Sequence, residues 1–468
     1  MARRAWRPND TRWQIAEPHP EAEVLARRLH TDPLVGQVLL NRGLSDADAA
    51  RAFLNPRYGD LHDPSQLPGA VDAAERIARA VADRRRIVVY GDYDVDGITG
   101  VAQLLTCLRM AGAEPQYYVP HRLEEGYGVN SEAVARLASE GAEMLVTVDC
   151  GVAASGPLAE ARAAGMEVIV TDHHVPPEQL PPADVIVHPA LPGGSYANPH
   201  LAGSGVALKL VWQLARELCG SRRVDDEWRR FLMDATGLAA LGTIADVVPL
   251  IGENRALATF GLRGLPRTEH PGLRALLHAG KLDGAKLDAY HVGFVLAPRL
   301  NACGRMGHAR LAVELLTDVA PTRARKIADY LTQQNAERQR VERAIASEAV
   351  ERVTSGGLDD DEHRAIVLAS ENWHSGVIGI VASRLVDRFA RPAVLIALDD
   401  DGGHGSARSI AGYHMRDALA ACAEHLVSFG GHAMAGGLRI EPGAVDAFAD
   451  AFGAHARRHI DADQLTPA

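Results

Sequence analysis

RIVVYGDYDVDG, residues 86–97, is the stretch that decides the fold, because a short apolar run leads directly into closely spaced aspartates. Two later runs end in the same way, MLVTVDCG at 144–151 and EVIVTDHH at 167–174. Helical patterns of ten or more residues separate these runs. Strands that alternate with such helices are typical of a parallel sheet covered by helices on both faces. The sequence therefore predicts an α/β fold whose first domain is a doubly wound parallel sheet.

Acidic residues and histidines cluster at the predicted carboxyl ends of these strands. In an open parallel sheet, ligands bind outside those ends, at the crevice where the strand order reverses. We therefore expect three strands to deliver their side chains to one edge. A fourth apolar run, LGTIA at 241–245, ends in one more carboxylate. The candidate residues are Asp92, Asp94, Asp96, Asp149, Asp172, His173, His174 and Asp246.

The chemistry of this acidic edge indicates metal ions. Many carboxylates in one cleft repel one another, and most would take up protons unless cations lie among them. Oxygen and imidazole ligands without thiolates suit Mg²⁺ or Mn²⁺ best. Two such ions about 3.5–4 Å apart, bridged by a carboxylate and a water, can hydrolyse a phosphodiester. Asp149 is the candidate bridge, and of the two adjacent histidines one could bind metal while the other faces the scissile phosphate.

Each motif also has a simpler interpretation. A single aspartate at the end of a strand is more often the N-cap of the next helix than a metal ligand. A D-x-D-x-D-G sequence can be a calcium loop or a turn, and a His-His pair usually lies on the surface or in a satisfied core. The joint occurrence of the motifs at three consecutive strand ends favours the metal site.

The pattern along the chain predicts four segments. Residues 1–70 form a mostly helical N-terminal segment, and residues 71–320 form the metal-binding catalytic domain. Residues 321–353 contain no Pro or Gly after the first residue and keep helical spacing, so we expect one long connecting helix. The strand candidates AIVLA, AVLIAL and GLRI place a second, smaller α/β domain at 354–460.

The second domain carries three stretches rich in Gly, His, Ser and Arg, at 370–379, 402–409 and 430–437. We interpret them as loops that grip phosphate, because Gly lets backbone N–H groups approach a ligand closely. The side chains that would add donors are Ser406, Arg408 and His432. Tight turns are the alternative interpretation.

Composition and charge exclude several classes of protein. The 468 residues are 47% hydrophobic and 23% charged, which is typical of a globular chain rather than a disordered one. The formal net charge of −11 gives no overall basic field, so a polyanion must be met by local cations or metal. The apolar runs are too short to span a membrane, and no secretory signal is evident. Five scattered cysteines predict reduced thiols and a cytoplasmic location.

Four of these motifs, GDYDVDG, VDCG, TDHH and GTIADVVPL, resemble those of the DHH phosphoesterase superfamily. GHGSARS and FGGHAMAGG are similar to its DHH-associated C-terminal domain. Within the superfamily, the chain most resembles the RecJ family of single-strand-specific 5′→3′ DNA exonucleases, over nearly its whole length. The combination of GDYDVDG with TDHH is much more specific than either motif alone.

The resemblance implies a role for each candidate residue. His174 would lie beside the scissile phosphate as a catalytic residue together with Asp149, and Asp172 would support the two histidines. The implied metal ligands are Asp94, Asp96, Asp149, His173 and Asp246, with Asp92 as a further candidate. The implied substrate contacts are Arg305, Ser406, Arg408 and His432. Mn²⁺ is the expected ion, with two in the active site, and Mg²⁺ also supports activity in the family.

The function that the resemblance implies is 5′→3′ exonuclease activity on single-stranded DNA, in DNA repair and recombination. A phosphodiesterase for short oligoribonucleotides or small nucleotide substrates is the alternative among hydrolases. A non-enzymatic replication scaffold is a third interpretation, which the retained metal ligands argue against. RNA is an alternative substrate, and a single-strand-binding protein is a candidate partner.

The chain departs from the family pattern at three places. Tyr90 stands where many superfamily members place a metal-ligating histidine, so Asp92 could hold that ion instead. His188-Pro189 replaces a frequent Asn-Pro, which could alter a contact behind the metal ligands. RecJ proteins also commonly carry an OB-fold after the associated domain, and this sequence ends at Ala468. Because an OB-fold binds single strands, affinity for long DNA and processivity are expected to suffer without it.

Overall fold

A parallel five-stranded sheet forms the centre of the first part of the chain. The computed structural model describes residues 15–121, 125–305, 309–317, 319–360 and 362–465. The strands of this sheet are β1 (Ile87–Gly91), β2 (Gln116–Tyr118), β3 (Met144–Val148), β4 (Glu167–Thr171) and β5 (Val185–Val187). Their order is β2-β1-β3-β4-β5, and every neighbouring pair is parallel. The order reverses between β1 and β3, which is where ligands bind in such sheets.

Helices cover both faces of this sheet. The α-helices that the structure describes up to the second sheet are α1 (Ala22–Leu29), α2 (Pro33–Asn41), α3 (Ala47–Leu54), α4 (Ala70–Ala82), α5 (Val95–Met110), α6 (Ser131–Ser139), α7 (Ser155–Ala163), α8 (Gly203–Leu218), α9 (Asp226–Ala245), α10 (Gly252–Gly264), α11 (Pro271–Ala279), α12 (Ala297–Arg305), α13 (Ala309–Leu315) and α14 (Pro321–Ser355). Val89 and Val146 pack in one core with α5 and α8, whereas Val88 and Leu145 pack in another with α6 and α7. Alternate residues of a strand point to opposite faces, so these strands are apolar throughout. The predicted doubly wound sheet is confirmed.

The apolar run at 241–245 is helical. It forms the end of α9, and Asp246 is the C-cap residue of that helix. Residues 235–244 are buried without exception, so the run has no polar alternation that would separate a buried helix from a strand. Asp246 therefore reaches the acidic edge from a helix end, whereas the other candidates follow strands.

Helices α1 to α3 form the described part of the N-terminal segment. They share a small core that contains Leu25, Leu39 and Ala50. Residues 1–14, the start of the segment predicted over 1–70, lie outside the described residues. None of the described helices is both long enough and apolar enough to cross a bilayer.

A second sheet follows α14. The described residues divide into two units: one spans 18–335, and the other contains those from Ala336 onward together with 15–17. The boundary after residue 335 lies within α14. The second sheet contains β6 (Ile366–Ser370), β7 (Ala393–Asp399), β8 (Gly402–Arg408), β9 (Ser428–Gly431) and β10 (Ala435–Ile440), and its helices are α15 (Ser375–Phe389), α16 (Met415–Ala421) and α17 (Val445–His459). The strand order is β6-β7-β8-β10-β9, with only β6 and β7 parallel among the described pairs. This sheet has a separate hydrophobic core on each face, one with α14 and α15 and the other with α16 and α17. The predicted smaller α/β domain is therefore confirmed.

Two of the three Gly-rich stretches form strands, so their interpretation as loops was wrong. Residues 402–408 are β8, and residues 430–437 contain the end of β9 and the start of β10. The third stretch, 370–379, runs from the last residue of β6 through a short turn into α15. Glycine is depleted in strands, and this depletion is why the sequence suggested loops.

Close packing between strands explains the glycines of β8. The register places Gly403 opposite Ile440 and Gly405 opposite Leu438. A Cβ atom at Gly403 would lie 2.7 Å from the Ile440 side chain, and one at Gly405 would lie 2.6 Å from Leu438. These glycines therefore make room for the side chains of β10, as glycines within strands often do where another group approaches closely.

Gly405→Ala is expected to destabilise the second unit, because the new Cβ would overlap Leu438. We expect a loss of about 1–3 kcal/mol in the free energy of unfolding, the usual cost of overpacking a core. Gly437→Ala on β10 is the matched control, since its Cβ would have no neighbour closer than 3.9 Å. Urea unfolding of both variants measures the difference, and equal stabilities would contradict the packing described for β8.

Candidate metal centre

The loop after β1 is shaped by a helix N-cap. Asp94 precedes α5, and its Oδ1 accepts hydrogen bonds from the backbone N–H groups of Asp96 at 2.9 Å and Gly97 at 3.1 Å. Gly97 is needed in this loop, because a Cβ there would lie 2.6 Å from the carbonyl oxygen of Asp92. The N-cap interpretation of this motif is therefore correct for Asp94, and it involves only one of the two carboxylate oxygens.

The start of α8 holds the carboxylate of Asp96. Oδ2 accepts a hydrogen bond from the N–H of Gly203 at 2.6 Å, and Oδ1 accepts one from the N–H of Ser204 at 3.0 Å. The N–H groups and the dipole at a helix N-terminus favour a negative charge at this position. A Cβ at Gly242 of α9 would lie 2.3 Å from Asp96 Oδ1, so glycine in α9 makes room for the carboxylate.

Asp149 follows β3 directly and has a left-handed backbone conformation with φ of 61°. Few residues other than Gly adopt this conformation, and Asp and Asn are enriched among those that do. The N–H of Asp149 donates to the carbonyl oxygen of Thr171 at the end of β4, at 3.0 Å. A Cβ at Gly203 would lie 2.5 Å from Asp149 Oδ1, so the glycine at the start of α8 also makes room for this carboxylate.

Asp172 orients the two histidines that follow β4. Its Oδ1 accepts hydrogen bonds from the N–H groups of His173 at 2.7 Å and His174 at 3.1 Å, and lies 2.8 Å from His174 Nδ1. Burial raises the pKa of Asp172, but the bond and charge of His174 outweigh burial and lower it to about 2. Burial lowers the pKa of His174, but Asp172 raises it to about 9. The two groups therefore form an ion pair at neutral pH.

His173 lies among the carboxylates of the acidic edge. Its Nε2 is 3.1 Å from Asp149 Oδ1 and 3.7 Å from Oδ2 of both Asp96 and Asp246. The described residues contain three overlapping sets of ligand atoms that could hold a metal ion, with all atoms of a set within 4.8 Å of one another. These sets are Asp149–His173–His174, Asp96–His173–Asp246 and Asp92–Asp94–Asp149. The structure therefore brings together every metal ligand predicted from the sequence.

The donor set fits divalent cations. Asp149 Oδ1 and His173 Nε2 are buried and face each other, yet neither makes a hydrogen bond with the described residues. Burial, followed by the charges of nearby aspartates, raises the pKa of Asp149 well above its usual range. The same causes raise the pKa of Asp246 to about 7. A cation would relieve this repulsion, and carboxylate with imidazole ligands suits Mn²⁺ or Mg²⁺.

In the second unit, Ser406 and Arg408 lie two residues apart on one face of β8. Arg408 Nη1 donates to Ser406 Oγ at 3.2 Å, and a Cβ at Gly379 of α15 would lie 2.7 Å from that oxygen. Arg408 pairs with Ala435 of β10, whose carbonyl oxygen accepts a hydrogen bond from the N–H of His432 at 2.8 Å. The three predicted phosphate contacts therefore lie at the same end of this sheet.

Comparisons with known proteins agree with this architecture. A family model described as "DHH family, N-terminal domain" matches residues 86–243, and one described as "DHHA1 domain" matches residues 362–457. The single-stranded-DNA-specific exonuclease RecJ of Dickeya dadantii (strain 3937) is 41% identical over 415 residues, which cover 86% of this chain and 72% of that relative. The chain belongs to the RecJ family.

Two further RecJ proteins show how far the likeness extends. RecJ of Bacillus subtilis (strain 168) is 42% identical over 433 residues, which cover 92% of this chain and 53% of that protein. The crystal structure of RecJ from Thermus thermophilus in complex with Mn²⁺ matches with a TM-score of 0.83 and 33% identity, over 97% of this chain and 64% of the other. The chain thus spans about half to two-thirds of the length of these two relatives, and both of its sheets belong to the RecJ fold.

Two contacts of His174 were not evident from the sequence. The hydroxyl of Tyr127 lies 3.1 Å from His174 Nε2 and donates to the carbonyl oxygen of Asp149 at 3.3 Å. His188 Nδ1 accepts a hydrogen bond from the N–H of Ala190, so its Nε2 carries the proton and donates to the carbonyl oxygen of His174 at 2.8 Å. The departure from the family pattern at His188 was the available signal, but it did not reveal this contact.

Tyr90 supports the loop that carries Tyr127. Its ring is fully buried, its hydroxyl donates to the carbonyl oxygen of Gly128 at 3.0 Å, and it accepts a hydrogen bond from Asn130 Nδ2 at 3.2 Å. The residue that departs from the superfamily pattern thus holds the backbone one residue beyond Tyr127. The side chain of Arg305, the remaining predicted substrate contact, lies outside the described residues.

Gly203→Ala is expected to weaken Mn²⁺ binding, because its Cβ would occupy space 2.5 Å from Asp149 Oδ1. We expect a loss of about tenfold or more in affinity, as found when groups that orient metal ligands are altered. Gly156→Ala in α7 is the matched control, since its Cβ would meet no atom within 4 Å. Calorimetric titration of chelator-treated protein measures the affinities, and equal Mn²⁺ affinity in both variants would argue against Asp149 as a ligand.

The raised pKa of Asp246 predicts how the stability of the metal-free protein depends on pH. A carboxyl group whose pKa is about 7 in the folded state and about 4 in the unfolded state stabilises the fold below pH ~4, and loses this contribution as the pH rises through ~7. With chelator present, the free energy of unfolding is expected to fall between about pH 5 and 8, and less so in Asp246→Asn. Mn²⁺ should oppose the fall, because it binds ionised carboxylates.

Urea unfolding at several pH values, with chelator or with Mn²⁺, tests this dependence. The Asp246→Asn protein serves as the control, because the neutral amide cannot titrate. A metal-free wild-type protein whose stability rises steadily with pH, to the same extent as in the variant, would contradict the electrostatic account of the centre.

Proposed function

We propose that the chain is a metal-dependent exonuclease that hydrolyses phosphodiester bonds of single-stranded DNA in the 5′→3′ direction, in DNA repair and recombination. The proposal rests on one observation. In a chain of the RecJ family, aspartate and histidine ligand atoms lie close together at the edge of the parallel sheet. Its relatives are named as single-stranded-DNA-specific exonucleases, and one structure contains Mn²⁺. Two Mn²⁺ ions, or Mg²⁺ in their place, would supply an activated water and a clamp on the phosphodiester oxygens.

Asp149 is the residue that we place between the two ions. It belongs to the set with His173 and His174 and also to the set with Asp92 and Asp94. A carboxylate has two oxygens and can serve one ligand position in each set. The remaining ligands would be Asp92 and Asp94 for one ion, and Asp96, His173 and Asp246 for the other.

His174 is the residue that we place against the scissile phosphate. Its side chain is 43% exposed, whereas the side chains of Asp149 and Asp172 are 2% exposed. Asp172 and Tyr127 contact its ring and thereby limit how it can turn. The charge of Asp172 favours the protonated imidazole, which would stabilise negative charge as it develops on the phosphoryl oxygens.

Substrate contacts outside the metal centre complete the proposal. Ser406, Arg408 and His432 would donate hydrogen bonds to DNA phosphates, and Arg305 would contact the strand as well. RNA remains an alternative substrate and a single-strand-binding protein a candidate partner. All five cysteines are free thiols, which supports action in the reducing cytoplasm.

Asp149→Ala is expected to abolish Mn²⁺-dependent digestion of single-stranded DNA. Loss of a bridging ligand should cost about 4 kcal/mol of transition-state stabilisation, or roughly a thousandfold in rate. Asp226→Ala in α9 is the matched control, because this carboxylate is 89% exposed on the surface. The substrates are long single strands with a blocked 5′ or 3′ end, duplex DNA, matched RNA, and oligomers of a few nucleotides.

Each outcome of this digestion series decides one part of the proposal. If long single strands are digested unless their 5′ end is blocked, and duplex DNA is not digested, the result would support exonuclease activity in the 5′→3′ direction. Unchanged digestion by Asp149→Ala would contradict the assigned centre. Cleavage confined to very short oligomers, with RNA preferred, would support the alternative phosphodiesterase of small substrates.

A further inference from the structure

A buried polar network joins α8 and α10 to the loop that precedes α8. Its charged members, Lys209 of α8 and Glu253 of α10, form an ion pair and are at most 1% exposed. The other members that matter here are Tyr196, Asn198 and Asn254. Buried charges and amides cost free energy unless they are paired, so a network of this size calls for a reason.

Asn254 joins two chain segments that lead to metal ligands. Its Nδ2 donates one hydrogen bond to the carbonyl oxygen of His200 at 2.5 Å and another to that of Pro249 at 3.1 Å. His200 lies three residues before Gly203, whose N–H holds Asp96, and Pro249 lies three residues after Asp246. One carboxamide therefore fixes the distance between the segment that grips Asp96 and the segment that carries Asp246.

The network also fixes which way the Asn254 carboxamide points. Asn198 Nδ2 donates to the Glu253 carboxylate at 3.4 Å and to Asn254 Oδ1 at 2.8 Å. A carboxylate only accepts hydrogen bonds when ionised, so the amide of Asn198 must face it with its NH₂ group. The oxygen of Asn254 then faces Asn198, and its NH₂ group faces the two carbonyl oxygens.

Glu253 is in turn held from three further directions. It accepts hydrogen bonds from the hydroxyl of Tyr196 at 2.7 Å and from the N–H of His62 at 2.9 Å, in addition to its pair with Lys209. Lys209 also donates to the carbonyl oxygen of His62. Glu253 is therefore tied to the segment before α4 and to α8. Its neighbour in the chain, Asn254, has little freedom to move as a result.

We propose that Asn254 is a positioning residue for one of the two metal ions, the ion held by Asp96, His173 and Asp246. This inference rests on the proposed function, because it assumes that the centre binds two ions. Of the two segments that Asn254 joins, one holds Asp96 and the other carries Asp246, and neither carries Asp92 or Asp94. Asn254 thus affects the affinity of this ion more than that of the other.

Mn²⁺ titration of the chelator-treated full chain, followed by the electron paramagnetic resonance signal of free Mn²⁺, tests the assignment. Asn254→Asp keeps the shape but can donate at most one proton, so at least one of the two bonds is lost. We expect one of two Mn²⁺ sites to weaken by about tenfold or more, the usual effect of altering a group that orients metal ligands. Asn198→Ala, which removes the bond that orients the carboxamide, is expected to weaken the same site.

Thr236→Val in α9 is the matched control. Thr236 is buried like Asn254, but its hydroxyl donates, among the described residues, to the carbonyl oxygen of Leu232 within its own helix. Thermal unfolding of the metal-free proteins shows whether the variants fold, and two Mn²⁺ sites of normal affinity are expected in the control. The readout is metal binding, so it does not depend on nuclease activity.

The outcomes separate this inference from the proposed function. A wild-type chain that binds no Mn²⁺ would overturn the proposed function and this assignment with it. Two sites in the wild type that remain unchanged, or weaken equally, in Asn254→Asp and Asn198→Ala would overturn the assignment alone. Loss of the fold in both variants would make the network purely structural and would equally overturn it.

Discussion

Repulsion between buried carboxylates is the constraint that governs the first unit of this RecJ-family chain. The reversal of strand order between β1 and β3 leaves one crevice at the sheet edge, and the loops that meet there carry aspartates. Backbone N–H groups compensate part of the charge, as at Asp94 and Asp96. Asp149 Oδ1 has no such bond among the described residues, and burial together with the charges of nearby aspartates raises the pKa of Asp149 well above its usual range. Folding of this unit is therefore coupled to the binding of protons or cations at one place.

The space for these carboxylates comes from glycines on the surrounding helices. Gly203 at the start of α8 makes room for Asp149, and Gly242 in α9 makes room for Asp96. In both cases a single methyl group would displace a candidate metal ligand. The helices thus do more than cover the sheet, because their closest approach to it determines where the ligands lie.

How much could be predicted from the sequence depends on how each residue acts. Asp96, Asp149 and His173 could be found because strand ends and side-chain chemistry are both visible in a sequence. For Asp246, the helix-rich sequence around it predicts its origin better than the apolar run itself does, since a fully buried helix and a buried strand have the same apolar pattern. Asn254 could not be found, because it acts through the carbonyl groups of residues distant in sequence.

In the second unit, the local glycine pattern was misleading, because packing between strands determined the structure. The glycines of β8 suggested a loop, yet they form a strand because Leu438 and Ile440 of the neighbouring strand need the space of the missing side chains. Ser406 and Arg408 are therefore held on a regular strand rather than on a flexible loop. The spacing of the two residues along the chain then fixes their common face.

The left-handed backbone of Asp149 bears on how catalysis could be lost during evolution. Asparagine tolerates this conformation as readily as aspartate does, and it has nearly the same shape. It lacks the negative charge, so it would relieve repulsion in the centre while giving up much of the affinity for cations. An aspartate codon becomes an asparagine codon by a single nucleotide change. Under the proposed function, one mutational step at Asp149 would thus remove the activity and leave a metal-free fold with less internal repulsion.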